Sequence, residues 1–239
     1  MIDLHTHILP GIDDGAKDLE MSLQMLRMQQ EQGVDTVVLT PHFYPSRESS
    51  KRFLKRREEA AKTLAHAILE MPEEEQKAFP HRMVLGAEVA WAPNLAYDDH
   101  LNQMCLGSSK YMLLELPFEP WNEQMINQIY HLSGRTGITP VIAHLDRYQR
   151  LQKAELFDEV LALGVPVQLG TDMLLHPLQR RGLLKLLQQG DGYVLASDCH
   201  NLTSRKPNLQ AAMDVVKKKL GEEKQKRIIE QSHELLRLI

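Results

Sequence analysis

The sequence predicts one α/β domain, residues 1–239, built as a distorted seven-stranded TIM-like (β/α)7 barrel. Three observations carry that expectation. Short apolar runs alternate with longer stretches of helical period, and glycines close several of those stretches as C-terminal caps do. The chain has 239 residues with 43% hydrophobic content, which suits one large core rather than two domains or a disordered chain. Strand, helix, strand in repetition implies parallel strands joined by right-handed crossovers, and seven such units bring the first strand back towards the last. An open doubly wound sheet is the alternative, because alternation alone does not show that the ends meet.

In chain order, the strands are expected at 2–4, 36–40, 83–87, 111–116, 139–143, 165–169 and 193–197. Each is a short apolar run, as parallel strands buried on both faces require. Helices are expected at 19–32 before Gly33, at 50–69, at 123–133 before Gly134, at 153–163 before Gly164 and at 177–189 before Gly190. A final helix should fill much of 209–239, and the Glu- and Pro-containing segment 71–82 reads as a surface loop. Met21, Met25 and Met28 fall at helical spacing and read as packing.

Composition excludes several classes of function. Twenty-eight basic and 32 acidic residues leave a net charge of −4, which creates no field favouring nucleic acid or an anionic membrane. Two cysteines, Cys105 and Cys199, are too few for a disulfide framework and lack the spacing of a structural zinc site, which fits a reducing cytoplasm. The chain opens on MIDLHTHILPG with no basic and apolar leader, and no apolar run approaches the ~18 residues that would span a bilayer. A cytoplasmic protein without membrane insertion is therefore expected.

The chemistry sits where the strands end. His5 and His7 leave the first strand at alternate positions, so both imidazoles can point the same way and share a cation. His42, Glu88, Glu115, His144, Asp198 and His200 lie at or just beyond the ends of five other expected strands. In a parallel barrel those ends open on one face, where residues distant in sequence meet. Glu115 stands among Leu113, Leu114 and Leu116, where an unpaired carboxylate would cost several kcal/mol and metal ligation would offset that cost. Asp14, in the turn Gly11-Ile12-Asp13-Asp14-Gly15, adds a loop carboxylate, although spacing does not choose between Asp13 and Asp14. Nine such ligands exceed the set for one zinc ion and point to two or three cations, with Mn, Zn or Fe suited to mixed imidazole and carboxylate ligation.

The stretches MIDLHTHILPGIDDGAKD, GVDTVVLTPHFYP, GAEVAWAP, LLELPFEP, GITPVIAHLDRY and LASDCHNLTSRKP resemble, in order and interval, the polymerase and histidinol phosphatase (PHP) superfamily. Within it they resemble the bacterial tyrosine phosphatases linked to capsule and exopolysaccharide tyrosine kinases. The resemblance implies three cations, with manganese foremost and Zn, Fe or Mg as alternatives. One is held by His5, His7, Glu88 and Asp198, a second by Glu88, Glu115 and His144, and a third by Asp14, His42 and His200. It places Arg147 beside the substrate phosphate, with Arg205 as a second clamp. It also implies a tyrosine-phosphorylated protein partner, such as the tail of a bacterial tyrosine kinase, and hydrolysis by a metal-bridging hydroxide without a covalent intermediate.

Rival readings are weaker. Cys199 to Arg205 fits the CX5R pattern of cysteine-dependent phosphatases, yet HNLTS has no glycine to curl the backbone around phosphate. Amidohydrolases also begin with HxH but usually bridge their metals with a modified Lys, and no Lys occupies a comparable strand end here. A histidinol-phosphate-like small phosphomonoester is an alternative substrate, nuclease activity stays open, and a metal-binding adaptor would need no complete ligand set. The basic residues Arg47, Lys51, Arg52, Lys55, Arg56 and Arg57 read as a solvated helical face rather than a guide for acidic phosphopeptides.

Overall fold

The computed structural model describes residues 1–236. It is an α/β fold with parallel sheets. Strands β1 (Ile2–Thr6), β2 (Thr36–Leu39) and β4 (Arg82–Leu85) form one sheet in the order β1-β2-β4. The second sheet runs β3 (His42–Phe43), β5 (Glu88–Ala90), β6 (Tyr111–Glu115), β7 (Thr139–Ile142), β8 (Val167–Gly170) and β9 (Tyr193–Ala196), in that order.

Two expected strands, 36–40 and 83–87, are each followed across a short break by a further strand, β3 and β5, which makes nine strands rather than seven among the described residues. Pro41 lies in one break and offers no N–H to a ladder; Gly86 and Ala87 form the other. The register nevertheless carries through, with Leu39 facing Leu85 and His42 facing Glu88. Gly86 N–H donates to Leu39 O at 2.9 Å and Glu88 N–H to Pro41 O at 3.2 Å, so backbone bonding continues across both breaks.

The outermost strands also meet. Thr6 and Cys199 form an isolated parallel bridge, Asp198 N–H donates to His5 O at 2.9 Å, and His7 N–H donates to Cys199 O at 2.9 Å. Ile2, Leu4, Val38, Val84, Leu113, Val141, Ala143, Val194 and Ala196, drawn from both sheets, pack in one buried cluster with Leu235 and Leu236. A larger cluster lies between the strands and the helices that cover them.

Those helices are α1 (Leu19–Glu31), α2 (Ser50–Leu69), α3 (Glu73–Gln76), α4 (Glu123–Thr136), α5 (Ala154–Ala162), α6 (Thr171–Leu175), α7 (Arg180–Gln189), α8 (Leu209–Leu220) and α9 (Glu222–Leu236). Asp18, Ser49 and Asn122 cap α1, α2 and α4 by accepting the N–H groups of Met21, Arg52 and Met125. Met25 is buried in the core, while Met21 packs against it half-buried.

Several boundaries differ from expectation. Helix α4 runs through Gly134 and stops at Gly137, whose φ of 71° is the left-handed cap, with its N–H on Ser133 O at 2.9 Å. The segment expected as a surface loop contains α3, and α7 begins at Arg180 rather than at residue 177. The expected final helix is two helices parted at Gly221, and its last residues, 237–239, lie outside the described residues.

Candidate metal centre

Glu88 occupies the middle of the centre because the parallel register sets it beside His42 on one side and Leu113 on the other. Its carboxylate is buried, with Oε2 at 3.1 Å from His5 Nε2, 3.2 Å from His7 Nε2 and 3.0 Å from His42 Nδ1. Its other oxygen, Oε1, lies 2.8 Å from His144 Nε2. One carboxylate therefore gathers four imidazoles delivered by three strands, His5 and His7 by β1, His42 by β3 and His144 by β7.

Asp198 enters from beyond β9, with Oδ1 at 3.3 Å from Nε2 of both His5 and His7. Both His144 and Asp198 have positive φ, 29° and 50°, although neither is glycine. Such strain costs on the order of 1–3 kcal/mol and persists where the surroundings impose it, commonly at functional sites.

A set of buried groups fixes which imidazole nitrogens face inward. His5 Nδ1 lies 3.1 Å from Gln168 Oε1, His7 Nδ1 lies 2.8 Å from Asp13 Oδ2, and His200 Nδ1 lies 2.9 Å from the Asp198 carbonyl. An Nδ1–H donating to each acceptor leaves Nε2 as the lone-pair nitrogen, the usual support of a metal-binding histidine. His5 Nε2 and His7 Nε2 then face each other at 3.0 Å, a repulsive pairing unless a cation or an added proton lies there. The buried atoms Glu88 Oε2, Asp198 Oδ1, His42 Nδ1 and His200 Nε2 make no hydrogen bond. Their convergence is the arrangement that a divalent cation would satisfy.

The protonation behaviour agrees. Burial opposes charge on Glu88, but His5 and His42 hold its carboxyl well below the usual carboxylate range. Burial likewise disfavours charged Asp198, and His5, His7 and Arg147 outweigh it. Burial opposes charge on His7, yet bonds from Asp13, Asp198 and Glu88 raise its pKa well above the histidine norm. His200 goes the other way, pushed down to about 3 by burial and then by charge on His7. The carboxylates are thus ionised and demand positive charge, which protons or metal ions can supply.

Three compact groups of candidate ligand atoms result, each with its atoms within 4.8 Å of one another: His5, His7, Glu88 and Asp198; His7, Asp14, His42 and His200; and His42, Glu88 and Glu115. All nine sequence-predicted ligands are therefore brought together, since His144 Nε2 also lies 3.5 Å from Glu115 Oε1. The grouping differs from expectation in two ways. His42, which turns Nδ1 towards Glu88 as well as Nε2 towards Asp14 at 3.4 Å, takes the place expected of His144 beside Glu88 and Glu115, and His7 joins the group around Asp14.

Asp13 and Asp14 divide the labour. Asp13 is buried behind His7, and its Oδ2 also accepts the His42 N–H at 3.0 Å, whereas Asp14 stands 66% exposed at the mouth. Asp13, Gln168 and Asp3 were not among the sequence-predicted site residues. Gln168 Oε1 also accepts the His144 N–H at 2.7 Å, and Asp3 accepts from Gln29 Nε2 at 2.7 Å and Ser197 N–H at 3.0 Å. A polar residue inside an apolar strand run was the available signal for both Gln168 and Asp3.

Arg147 and Arg205 meet on one atom, Asp198 Oδ2, with Arg205 Nη2 at 2.7 Å. About a third of each side chain is exposed, facing a cleft of about 470 Å³ shared with Asp172, His176 and Gln179. Across the centre, a second cleft of about 670 Å³ is lined by Asp14, His42, Tyr44, Arg47, Arg52 and Arg56. The basic run is partly structural: Arg57 is buried and donates to Gly86 O at 2.7 Å and Gln103 O at 2.9 Å, while Arg56 pairs with Glu48. Cys199 is fully buried, 3.7 Å from Gln29 Nε2, and burial pushes its thiol pKa up, so no thiolate is offered to solvent.

Comparison with known proteins places this arrangement. Residues 1–237 match the family described as capsular polysaccharide synthesis, CpsB/CapC. The tyrosine-protein phosphatase CpsB of Streptococcus pneumoniae is 30% identical over 244 residues, covering 95% of this chain and 94% of that protein. Tyrosine-protein phosphatase YwqE of Bacillus subtilis is 29% identical, covering 99% and 92% respectively. A solved structure from work on YwqE of Bacillus subtilis and CpsB of Streptococcus pneumoniae, called unique metal-dependent tyrosine phosphatases there, superposes with a TM-score of 0.84. It shares 29% identity and covers 99% of this chain and 94% of that one. A TatD-family hydrolase from Entamoeba histolytica shares the fold alone, with a TM-score of 0.56 and 10% identity over 98% of this chain and 97% of that one.

Proposed function

This chain belongs to the CpsB/CapC family of capsular polysaccharide synthesis, and on that premise we propose that it is a metal-dependent protein-tyrosine phosphatase. The observation that carries the reading is Glu88, a single buried carboxylate touched by four imidazoles, of which His5 and His7 have their outer nitrogens held by Gln168 and Asp13 and His42 turns its outer nitrogen towards Asp14.

Two or three divalent cations are proposed, manganese foremost, with His5, His7, Asp14, His42, Glu88, Glu115, His144, Asp198 and His200 as ligands. Bound there, they would supply Lewis-acid stabilisation and lower the pKa of water so that hydroxide is available near neutral pH to attack phosphorus. The chain's own residues do the rest. Glu88 would help hold more than one cation, and Gln168 and Asp13 hold His5 and His7 with their Nε2 atoms inward. Arg147 and Arg205 each use one nitrogen on Asp198, which leaves further N–H donors for phosphate oxygens. A tyrosyl phenolate, with a pKa near ~10, leaves without needing a strong acid.

The proposed partner is a tyrosine-phosphorylated protein, such as an exopolysaccharide-associated tyrosine kinase, met in the cytoplasm. No described helix is long and apolar enough to cross a membrane. We also read the two sheets as staves of one distorted seven-stranded barrel. The Thr6–Cys199 bridge and the apolar cluster fed by both sheets support it.

The test is hydrolysis of phosphotyrosine and phosphoserine peptides by purified protein, with chelator, after Mn²⁺ addition, and in Cys199→Ser. Metal-dependent, tyrosine-preferring activity that survives in Cys199→Ser is expected. Loss confined to Cys199→Ser would replace the mechanism with a thiolate one, and inactivity with every cation would reject the phosphatase reading.

A further inference from the structure

Phe118 is an exposed phenyl ring at the edge of the metal centre. It lies in the loop beyond β6, just past Glu115, and is 48% exposed. Its ring stacks on His144 with planes 17° apart and centroids 6.2 Å apart, and it meets Tyr148 at 5.1 Å. His144 in turn contacts both Glu88 and Glu115. The base beneath the ring is firm: Tyr148 is fully buried, and its hydroxyl donates to Leu116 O at 2.7 Å. Trp121 packs on Tyr148 at 5.2 Å.

Single exposed apolar residues are ordinary and by themselves mean nothing. Phe118 differs in its position, because among the described residues the other exposed large apolar side chains, Leu69, Tyr97, Tyr130, Leu151 and Leu178, stack on no imidazole of the centre. Two further aromatics stand beside the centre: Tyr44 already stacks on His42 at 5.1 Å and carries the Arg47 guanidinium at 4.4 Å, and Tyr148, 5.7 Å from His144, is buried. Phe118 keeps a solvent-facing surface. In a tyrosyl phosphate, one ester oxygen separates the aryl ring from phosphorus. For a phosphoryl group held near Glu88, Glu115 and His144, this part of the rim would lie within reach of its ring.

Building on the phosphatase reading above, we propose that Phe118 is a specificity-determining residue whose free face stacks on the phenolic ring of phosphotyrosine. It separates aryl from alkyl phosphates by ring contact, independently of the groups that hold the phosphate. Aromatic pairs in proteins sit offset or edge to face, and the loss of one such contact weakens binding by roughly two- to tenfold.

The proposal is tested by competitive inhibition with two non-hydrolysable probes, phenylphosphonate and methylphosphonate, in the Mn²⁺-loaded enzyme, its Phe118→Ala and Phe118→Leu variants, and Phe118→Trp. Metal content is measured alongside. In the unmodified enzyme phenylphosphonate binds more tightly; in Phe118→Ala and Phe118→Leu that advantage falls by roughly two- to tenfold while methylphosphonate binding stays constant, and Phe118→Trp restores it. Phe118→Leu retains an apolar side chain over His144, so the measurement stands even if Phe118→Ala loosens the loop. An unchanged phenyl-to-methyl ratio in both smaller variants, with metal retained, overturns the role of Phe118. Failure of the unmodified enzyme to hydrolyse any aryl phosphate overturns the underlying phosphatase reading instead.

Discussion

At the scale of single residues, the centre depends on side chains that never touch a substrate. Asp13 bonds His7 Nδ1 at 2.8 Å and the backbone N–H of His42 at 3.0 Å, so one carboxylate holds the His7 imidazole and the main chain that carries His42. Removal of such a support from a metal-binding histidine typically costs 10- to 100-fold in affinity or activity, roughly. Asp13→Ala should therefore lower Mn²⁺ affinity by about that factor, read by titration of metal-stripped protein, while Asp13→Asn, which can still accept from His7, should lose less. Equal affinity in Asp13→Ala and the unmodified protein would show that His7 is held by other contacts. The residues that converge on Glu88 were legible in the sequence, because their chemistry is unusual at strand ends. Their supports were not: Asp13 could not be told from Asp14 in a turn that favours both, and Gln168 reveals its role only when β8 sets it beside His5 and His144.

At the scale of elements, the loop after β1 is as constrained as the strand. Gly15 passes so close to His7 that an added Cβ would lie 2.1 Å from its carbonyl oxygen and 2.5 Å from its Cβ. Gly15 N–H also donates to Asp13 Oδ1 at 2.9 Å. Gly15→Ala must therefore displace the backbone that carries His7, a distortion expected to cost ~1–3 kcal/mol and to lower both Tm and bound metal. A Tm and metal content equal to those of the parent would contradict that account. The expected strand and helix types were largely legible, since apolar runs and helical periods survive in the structure. The breaks that follow two strands were not, because pairing across Pro41 and Gly86 is a property of the assembled sheets. The end of α4 was misplaced for a local reason: Gly134 is tolerated inside the helix, and the left-handed conformation falls at Gly137.

At the scale of the whole molecule, the fold gathers residues from Asp3 to Arg205 into one place. Parallel strands deliver their ends to a common rim, where Asp198 and Cys199 bond back to His5 and His7 across the first and last strands. Strand alternation therefore predicted convergence well before any distance was known. The division of these side chains among the three compact groups was less legible, since it depends on how His42 and His7 turn between neighbouring carboxylates. In the proposed function, Glu88 joins these contributions into one cation-holding, phosphate-hydrolysing centre. That role is read by measuring bound Mn²⁺ and phosphotyrosine-peptide hydrolysis together in metal-stripped and reconstituted protein, for the parent chain and Glu88→Gln. Chelation should abolish hydrolysis, Mn²⁺ should restore it in the parent, and Glu88→Gln should recover neither full metal content nor activity. Hydrolysis that persists after complete metal removal, or a Glu88→Gln variant as active as its parent, would contradict that role.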